Sequence, residues 1–168
     1  MTSSPSQTLT LLAEPRVSGF LAGARVAHLA TVDSHGAPHN VPVCFWFDGA
    51  RFYFAIDEKP KRRVGTELKR MRNIAADPRV ALVIDHYEED WTFLAYVLVH
   101  GRAQIVEDPN EYLLALRNLR EKYPQYRAMA LVAEANPMVR IEVERVHVWG
   151  ARFGAAAAPV APPGAKAP

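Results

Sequence analysis

RVAHLATVDSHGAPHNVPVCFWFDGARFYFAID, residues 25–57, is the stretch that decides the architecture. Apolar side chains alternate across Arg25–Asp33, as they do in a half-buried strand. Ser34 to Pro38 is turn chemistry, and His39–Phe47 reads as a second strand. Asp48-Gly49 is a hairpin signal, after which Arg51–Asp57 makes a third strand. Three strands joined by such short turns form an antiparallel meander. A doubly wound parallel sheet needs a crossover helix after nearly every strand, and this stretch has none.

Working outward, Glu14–Gly23 reads as a short helix with Val17, Phe20 and Leu21 on one face. Residues 64–76 form a helix that Asp77-Pro78 stops. Arg79–Tyr87 is a fourth strand, Glu88 to Asp90 an acidic turn, and Phe93–Val106 a long fifth strand. Pro109 opens a helix over residues 110–123, and residues 125–133 form a second, shorter one. In the last strand, 138–150, Val139, Ile141 and Val143 share one phase while Val146 and Val148 share the other. That slip predicts a β-bulge at Glu144-Arg145. Six mostly antiparallel strands with few helices predict a mainly β, α+β small barrel. Residues 1–13 are expected to be a flexible N-terminus and residues 155–168, rich in Ala and Pro, a disordered tail.

A chain of 168 residues is the length of one domain. Charged residues interrupt every apolar stretch, so no membrane span is expected. The N-terminus lacks the pattern of a secretory leader, and Cys44 is the single cysteine; both point to the cytoplasm. A net charge of +2 argues against a nucleic-acid partner. The positive charge is nevertheless gathered in one place: residues 59–72 hold Lys59, Lys61, Arg62, Arg63, Lys69, Arg70 and Arg72 against the lone acid Glu67.

The common catalytic frames are absent: no Gly-x-Ser-x-Gly elbow, Walker loop, Gly-x-Gly-x-x-Gly or His-Glu-x-x-His. The histidines are scattered, His35 and His39 straddle a turn, and the donors from Asp85 to Asp90 read as a solvated turn, so no metal site is expected. Two features rise above this background. The basic segment opens a helix, where unpaired N–H groups and several cations suit a phosphate; the alternative is a solvated charged helix. The second strand is interrupted by Pro42 and is apolar on both faces, with Val41, Val43, Phe45 and Phe47 on one and Pro42, Cys44 and Trp46 on the other. Its second face then meets a partner subunit, a flat ligand, or simply an aromatic core. A phosphate seat beside a flat apolar wall, without a catalytic frame, suggests that a cofactor carries the chemistry.

The order of these pieces resembles the pyridoxamine 5′-phosphate oxidase-like family: Gly-Ala-Pro turn, strand with a mid-strand proline, Asp-Gly turn, aromatic strand, Lys-Pro-Lys, and a basic helix closing on Asn73-Ile-Ala-Ala-Asp-Pro-Arg79. The stretches Lys-Pro-Lys-Arg, Asp85 to Trp91 and Val148 to Gly154 are most similar to an actinobacterial branch thought to use the deazaflavin coenzyme F-420 instead of flavin mononucleotide (FMN). The resemblance covers about residues 14–154. It implies a six-stranded antiparallel split β-barrel, an FMN-binding split barrel with flanking helices, working as a homodimer with a cofactor cleft at the subunit interface. Carried over, ring contacts fall on His39, Val41, Pro42, Val43, Ala55 and Ile56, and phosphate contacts on Lys59, Lys61, Arg62, Lys69 and Arg70. Trp91, Trp149 and Arg152 would close the cleft, from the same subunit or from the second. The implied activity is a flavoprotein-type oxidoreductase passing a hydride from coenzyme F-420 to a small conjugated acceptor, with His39 and Tyr87 as candidate proton donors. The alternatives are an FMN-dependent oxidase and a non-catalytic protein that binds a flavin, haem or tetrapyrrole. The C-terminal Arg and His set of the vitamin-B6 oxidases is missing here, which disfavours that activity.

Overall fold

The computed structural model describes residues 5–57 and 68–153. Lys59, Lys61, Arg62, the start of the basic helix and the Ala/Pro tail lie outside the described residues. Four helices, α1 (Pro5–Ala13), α2 (Pro15–Gly23), α3 (Lys69–Ala76) and α4 (Pro109–Lys122), surround one sheet. Its strands are β1 (Ala27–Val32), β2 (Pro38–Val43), β3 (Trp46–Phe47), β4 (Arg51–Ala55), β5 (Arg79–His86), β6 (Ala95–Ile105) and β7 (Met138–Gly150). Every pairing is antiparallel, and the order is β2-β1-β5-β6-β7-β4-β3.

β2 and β3 are the two edges of that sheet, yet only Cys44 and Phe45 separate them in the chain. From Val43 to Trp46 an extended backbone reaches about 10 Å. The edges must therefore lie close together, and the sheet curls into a barrel split along this seam. The expected antiparallel split barrel is present, with seven strands where the sequence predicts six. The second strand breaks because its backbone groups at Phe45 bond to a side chain and not to a ladder. The Phe45 N–H donates to Tyr123 Oη at 3.0 Å, and the Tyr123 hydroxyl lies 3.0 Å from the carbonyls of both Phe45 and Arg25. Tyr123 is buried, and its phenol is pushed up to about 12 by loss of solvation.

The two faces of this strand are covered unequally. Val43 and Phe45 are buried in the barrel core, with Val41 and Phe47 packed against it. Cys44 and Trp46 pack against a second apolar cluster built on α4, which presents Tyr112, Ala115, Leu116 and Leu119 at helical spacing. At Cys44 and Trp46 the second apolar face thus meets the chain's own helix. Pro42 alone of that face stays exposed. Asp108 caps α4 by accepting from Asn110 N–H at 2.7 Å, and Pro109 follows at a position where a missing N–H costs nothing.

The expected bulge is present. His100 pairs with Arg145 and Gly101 with Val143, so Glu144 is the extra residue. Residues 125–133 make only a 3-10 turn, Pro124–Ala128. The largest departure is at the N-terminus, read as loose to residue 13. Residues 5–13 are α1, packed on β7, with Thr8 and Leu12 buried one helical turn apart. A polar stretch hides a single narrow apolar stripe, too weak to stand out by periodicity. Among the described residues no helix is long and apolar enough to cross a membrane.

Lys122, the last residue of α4, lies with Nζ 3.9 Å from the Phe45 ring centroid and donates to the Leu21 carbonyl at 3.1 Å. Burial, and secondarily the Arg25 guanidinium, lower its pKa from 10.5 to about 8. The folded chain holds this proton less tightly than the unfolded chain does. Unfolding therefore takes up a proton between pH 8 and 10.5, and stability rises with pH across that window. In Lys122→Met this rise is expected to vanish, so the parent gains in Tm on the variant between about pH 7.5 and about pH 10. Thermal melts at the two pH values decide it: a constant Tm gap would contradict the assignment.

Candidate functional site

The site is assembled where α3 seats on β1 and β2. Asn73, buried on α3, donates its amide to Thr31 Oγ1 at 2.9 Å, and the Thr31 hydroxyl donates to the His39 carbonyl at 3.4 Å. This chain of bonds crosses helix and two strands and fixes the start of α3 against His39. The β1–β2 turn is held by Asp33, whose Oδ1 accepts from His35 N–H at 3.0 Å and Ala37 N–H at 2.9 Å, with Gly36 at φ +82°. Asp33 Oδ2 lies 3.2 Å from Lys69 Nζ. The backbone N–H groups of Ala37 and His35, together with Lys69, hold the Asp33 carboxyl below its ordinary value.

His39 is half-buried, and loss of solvation together with the charges of Lys69 and Arg70 lowers its pKa. Arg70 is half-buried too, and burial lowers its pKa, partly offset by the nearby Asp57 carboxylate. Its Nε is buried and has no hydrogen-bond partner among the described residues. Asp57, just beyond β4, is buried and accepts the Tyr126 hydroxyl at 2.8 Å. Burial and the Asp57 carboxylate push the Tyr126 phenol well up. Asn136 steadies the same strand end by donating to the Ile56 carbonyl at 2.9 Å.

Of the residues expected at a cofactor, the structure brings together His39, Lys69 and Arg70, with Val41 on the same side of β2. Pro42 is on the outward side, opposite His28. Val43, Ala55 and Ile56 are buried in the two apolar clusters and support the wall from behind. Trp91, Trp149 and Arg152 gather elsewhere, at the β5–β6 turn and the end of β7. There Trp149 stacks on Tyr96, its cross-strand partner, at 5.5 Å and 21°, and Trp91 is 45% exposed. Tyr87 is exposed near Glu89. Asp57 and Tyr126 were not among the sequence candidates: they are 69 residues apart, and nothing local joins them. A cleft of about 660 Å³ lies between α3, the end of β6 and the start of α4. Its walls include Glu107, Asp108, Glu111 and Arg140 and exclude Lys69 and Arg70.

A family model described as pyridoxamine 5′-phosphate oxidase matches residues 13–150. The chain belongs to the pyridoxamine 5′-phosphate oxidase family. A member from Streptomyces rimosus subsp. rimosus, 5a,11a-dehydrotetracycline/5a,11a-dehydrooxytetracycline reductase, is 32% identical over 132 residues, 78% of each chain. Two solved structures share the fold at lower identity. The heme storage protein HutZ from Vibrio cholerae superposes with a TM-score of 0.66 at 17% identity, over 83% of this chain and 97% of that one. An F420 reductase superposes with a TM-score of 0.56 at 22% identity, over 77% of this chain and 94% of that one. Membership in the pyridoxamine 5′-phosphate oxidase family accounts for the split barrel and for the chain order that the sequence resembles.

Proposed function

We propose that this protein is a cytoplasmic, homodimeric reductase that uses coenzyme F-420 to reduce a small conjugated acceptor. The observation that carries the reading is the cationic pair at the start of α3, tied to the His39 backbone through Asn73 and Thr31. The residues present fit an anionic cofactor tail: the Arg70 Nε is buried without a partner among the described residues, and a helix start adds unpaired N–H groups. Lys59, Lys61 and Arg62 extend the same run of positive charge in the sequence. A tail longer than one phosphate would use such an extension, which favours the deazaflavin over FMN. The family member named as a reductase supports the reaction class.

When bound, the reduced deazaflavin supplies a hydride to an unsaturated acceptor. Lys69 and Arg70 hold the anionic tail, β2 with His39 and Val41 orients the ring, and the buried Val43, Ala55 and Ile56 keep the wall rigid and dry. His39 is better placed than Tyr87 to hold or move a proton, because it is half-buried beside the cationic pair while Tyr87 is exposed on the β5–β6 turn. A second subunit would cover the outward faces of β1 and β2, where Val32, Pro38 and Pro42 are exposed. The likeness of fold to a heme storage protein favours one second reading, a carrier that binds without reducing.

The test is a titration of purified protein against coenzyme F-420, FMN and haem, followed by turnover with reduced cofactor and a conjugated acceptor. Coenzyme F-420 should bind at least about tenfold more tightly than FMN, a difference of about 1.4 kcal/mol. Equal or tighter FMN binding would move the protein to the oxidase reading. Tight haem binding without any reduction would make it a carrier.

A further inference from the structure

A second recess, of about 300 Å³, lies between α2 and the end of β5, and shares no residue with the seat at α3. Gly19, Phe20 and Gly23 form one wall, and Asp85, His86 and Arg152 the other. Gly19 and Gly23 sit one helical turn apart on one face. A Cβ at either would meet nothing within 4 Å, and neither has a positive φ. Neither packing within the chain nor backbone conformation calls for glycine at these positions, and each glycine weakens the helix relative to alanine. Phe20 is fixed between them by an edge-to-face contact with Phe153, at 5.2 Å and 86°.

The opposite wall carries a prepared cation. Arg152 Nη2 lies 2.9 Å from His86 Nε2 and donates to Glu88 Oε1 at 3.0 Å. His86 Nε2 and Glu88 Oε1 also meet each other, and Asp85 faces His28 Nδ1 at 3.4 Å. The guanidinium is therefore held from one corner. Among the described residues its Nε and Nη1 hydrogens have no partner, and they remain as charge-assisted donors for a carboxylate.

We infer that this recess is a binding site for a planar aromatic carboxylate, its ring lying on the glycine face against Phe20 and its carboxylate on Arg152. The inference stands apart from the cofactor reading, so it is tested without cofactor. Isothermal titration of the full chain with 2-naphthoate should show binding. The uncharged 2-naphthamide should bind at least about tenfold more weakly, because it forgoes the charge-assisted pair. Arg152→Gln should lower 2-naphthoate affinity by a similar factor, and Gly23→Leu, which fills the recess from an open position, should abolish binding without lowering Tm. The double variant Lys69→Ala, Arg70→Ala should bind 2-naphthoate as the parent does. No binding to the parent would overturn the inference. So would parental affinity in Gly23→Leu or in the exposed-site variant Arg152→Gln, or loss of binding in the Lys69, Arg70 variant.

Discussion

Replacing Lys69 and Arg70 together with alanine is expected to weaken coenzyme F-420 binding by a hundredfold or more. Each cation, if it holds the anionic tail, makes charge-assisted hydrogen bonds in a partly dry cleft, worth about 1.5–3 kcal/mol apiece. Two such losses amount to about 3–6 kcal/mol, and every 1.4 kcal/mol is roughly tenfold in affinity. Stability should change little by comparison. The Lys69–Asp33 pair is substantially exposed, and exposed pairs contribute roughly 0–1 kcal/mol. α3 remains anchored by Asn73 on Thr31. Binding to the parent should also weaken as salt rises, because the attraction is screened. Lys61→Ala, outside the described residues, should cost roughly tenfold if the basic run as a whole tracks the tail. Equilibrium titration of both variants against the parent decides the matter. Affinity unchanged in both would mean that α3 begins with nothing more than a solvated charged turn.

The second large effect is on the fold. Gly101 sits in β6 beside the bulge, and a Cβ there would overlap the Glu142 carbonyl oxygen and lie 2.9 Å from Ile141 Cγ2. The extra residue Glu144 draws β7 in so closely that only a hydrogen fits. Gly101→Val is expected to cost about 3 kcal/mol or more, since backbone must move on one of the two longest strands. For a domain of this size that lowers Tm by roughly 6–12 °C. Gly19→Ala is the matched control: its Cβ enters open space, and helix propensity alone should leave stability equal or about 1 kcal/mol higher. Circular dichroism melts of the three proteins test the pair. A Gly101→Val protein that melts with the parent would mean that the strands can separate at the bulge without loss.

How much of this was legible beforehand depends on the range of the interaction concerned. The hairpins β1–β2 and β3–β4, the bulge at Glu144 and the helix opened by Pro109 are written in alternation, phase and turn residues, all of them local, although the expected three-strand meander is split between β2 and β3. So is the concentration of cations over residues 59–72, because charge along the chain needs no fold to be counted. The seam was not legible. That His39–Phe47 breaks at Cys44-Phe45 follows from a hydroxyl supplied 78 residues later, by Tyr123, and no periodicity encodes a partner so distant. The covering of Cys44 and Trp46 by α4, the burial of Leu12 under a polar-looking N-terminus, and the approach of Tyr126 to Asp57 are of the same kind. Each is a contact between segments that meet only when the sheet curls. Residue order alone determined that this chain makes antiparallel strands and carries a basic helix start. Tertiary structure decided which side of β2 faces the core, that Val43, Ala55 and Ile56 are buried, and that loss of solvation and the charges of Lys69 and Arg70 lower the His39 pKa, because burial and distance exist only in the folded chain.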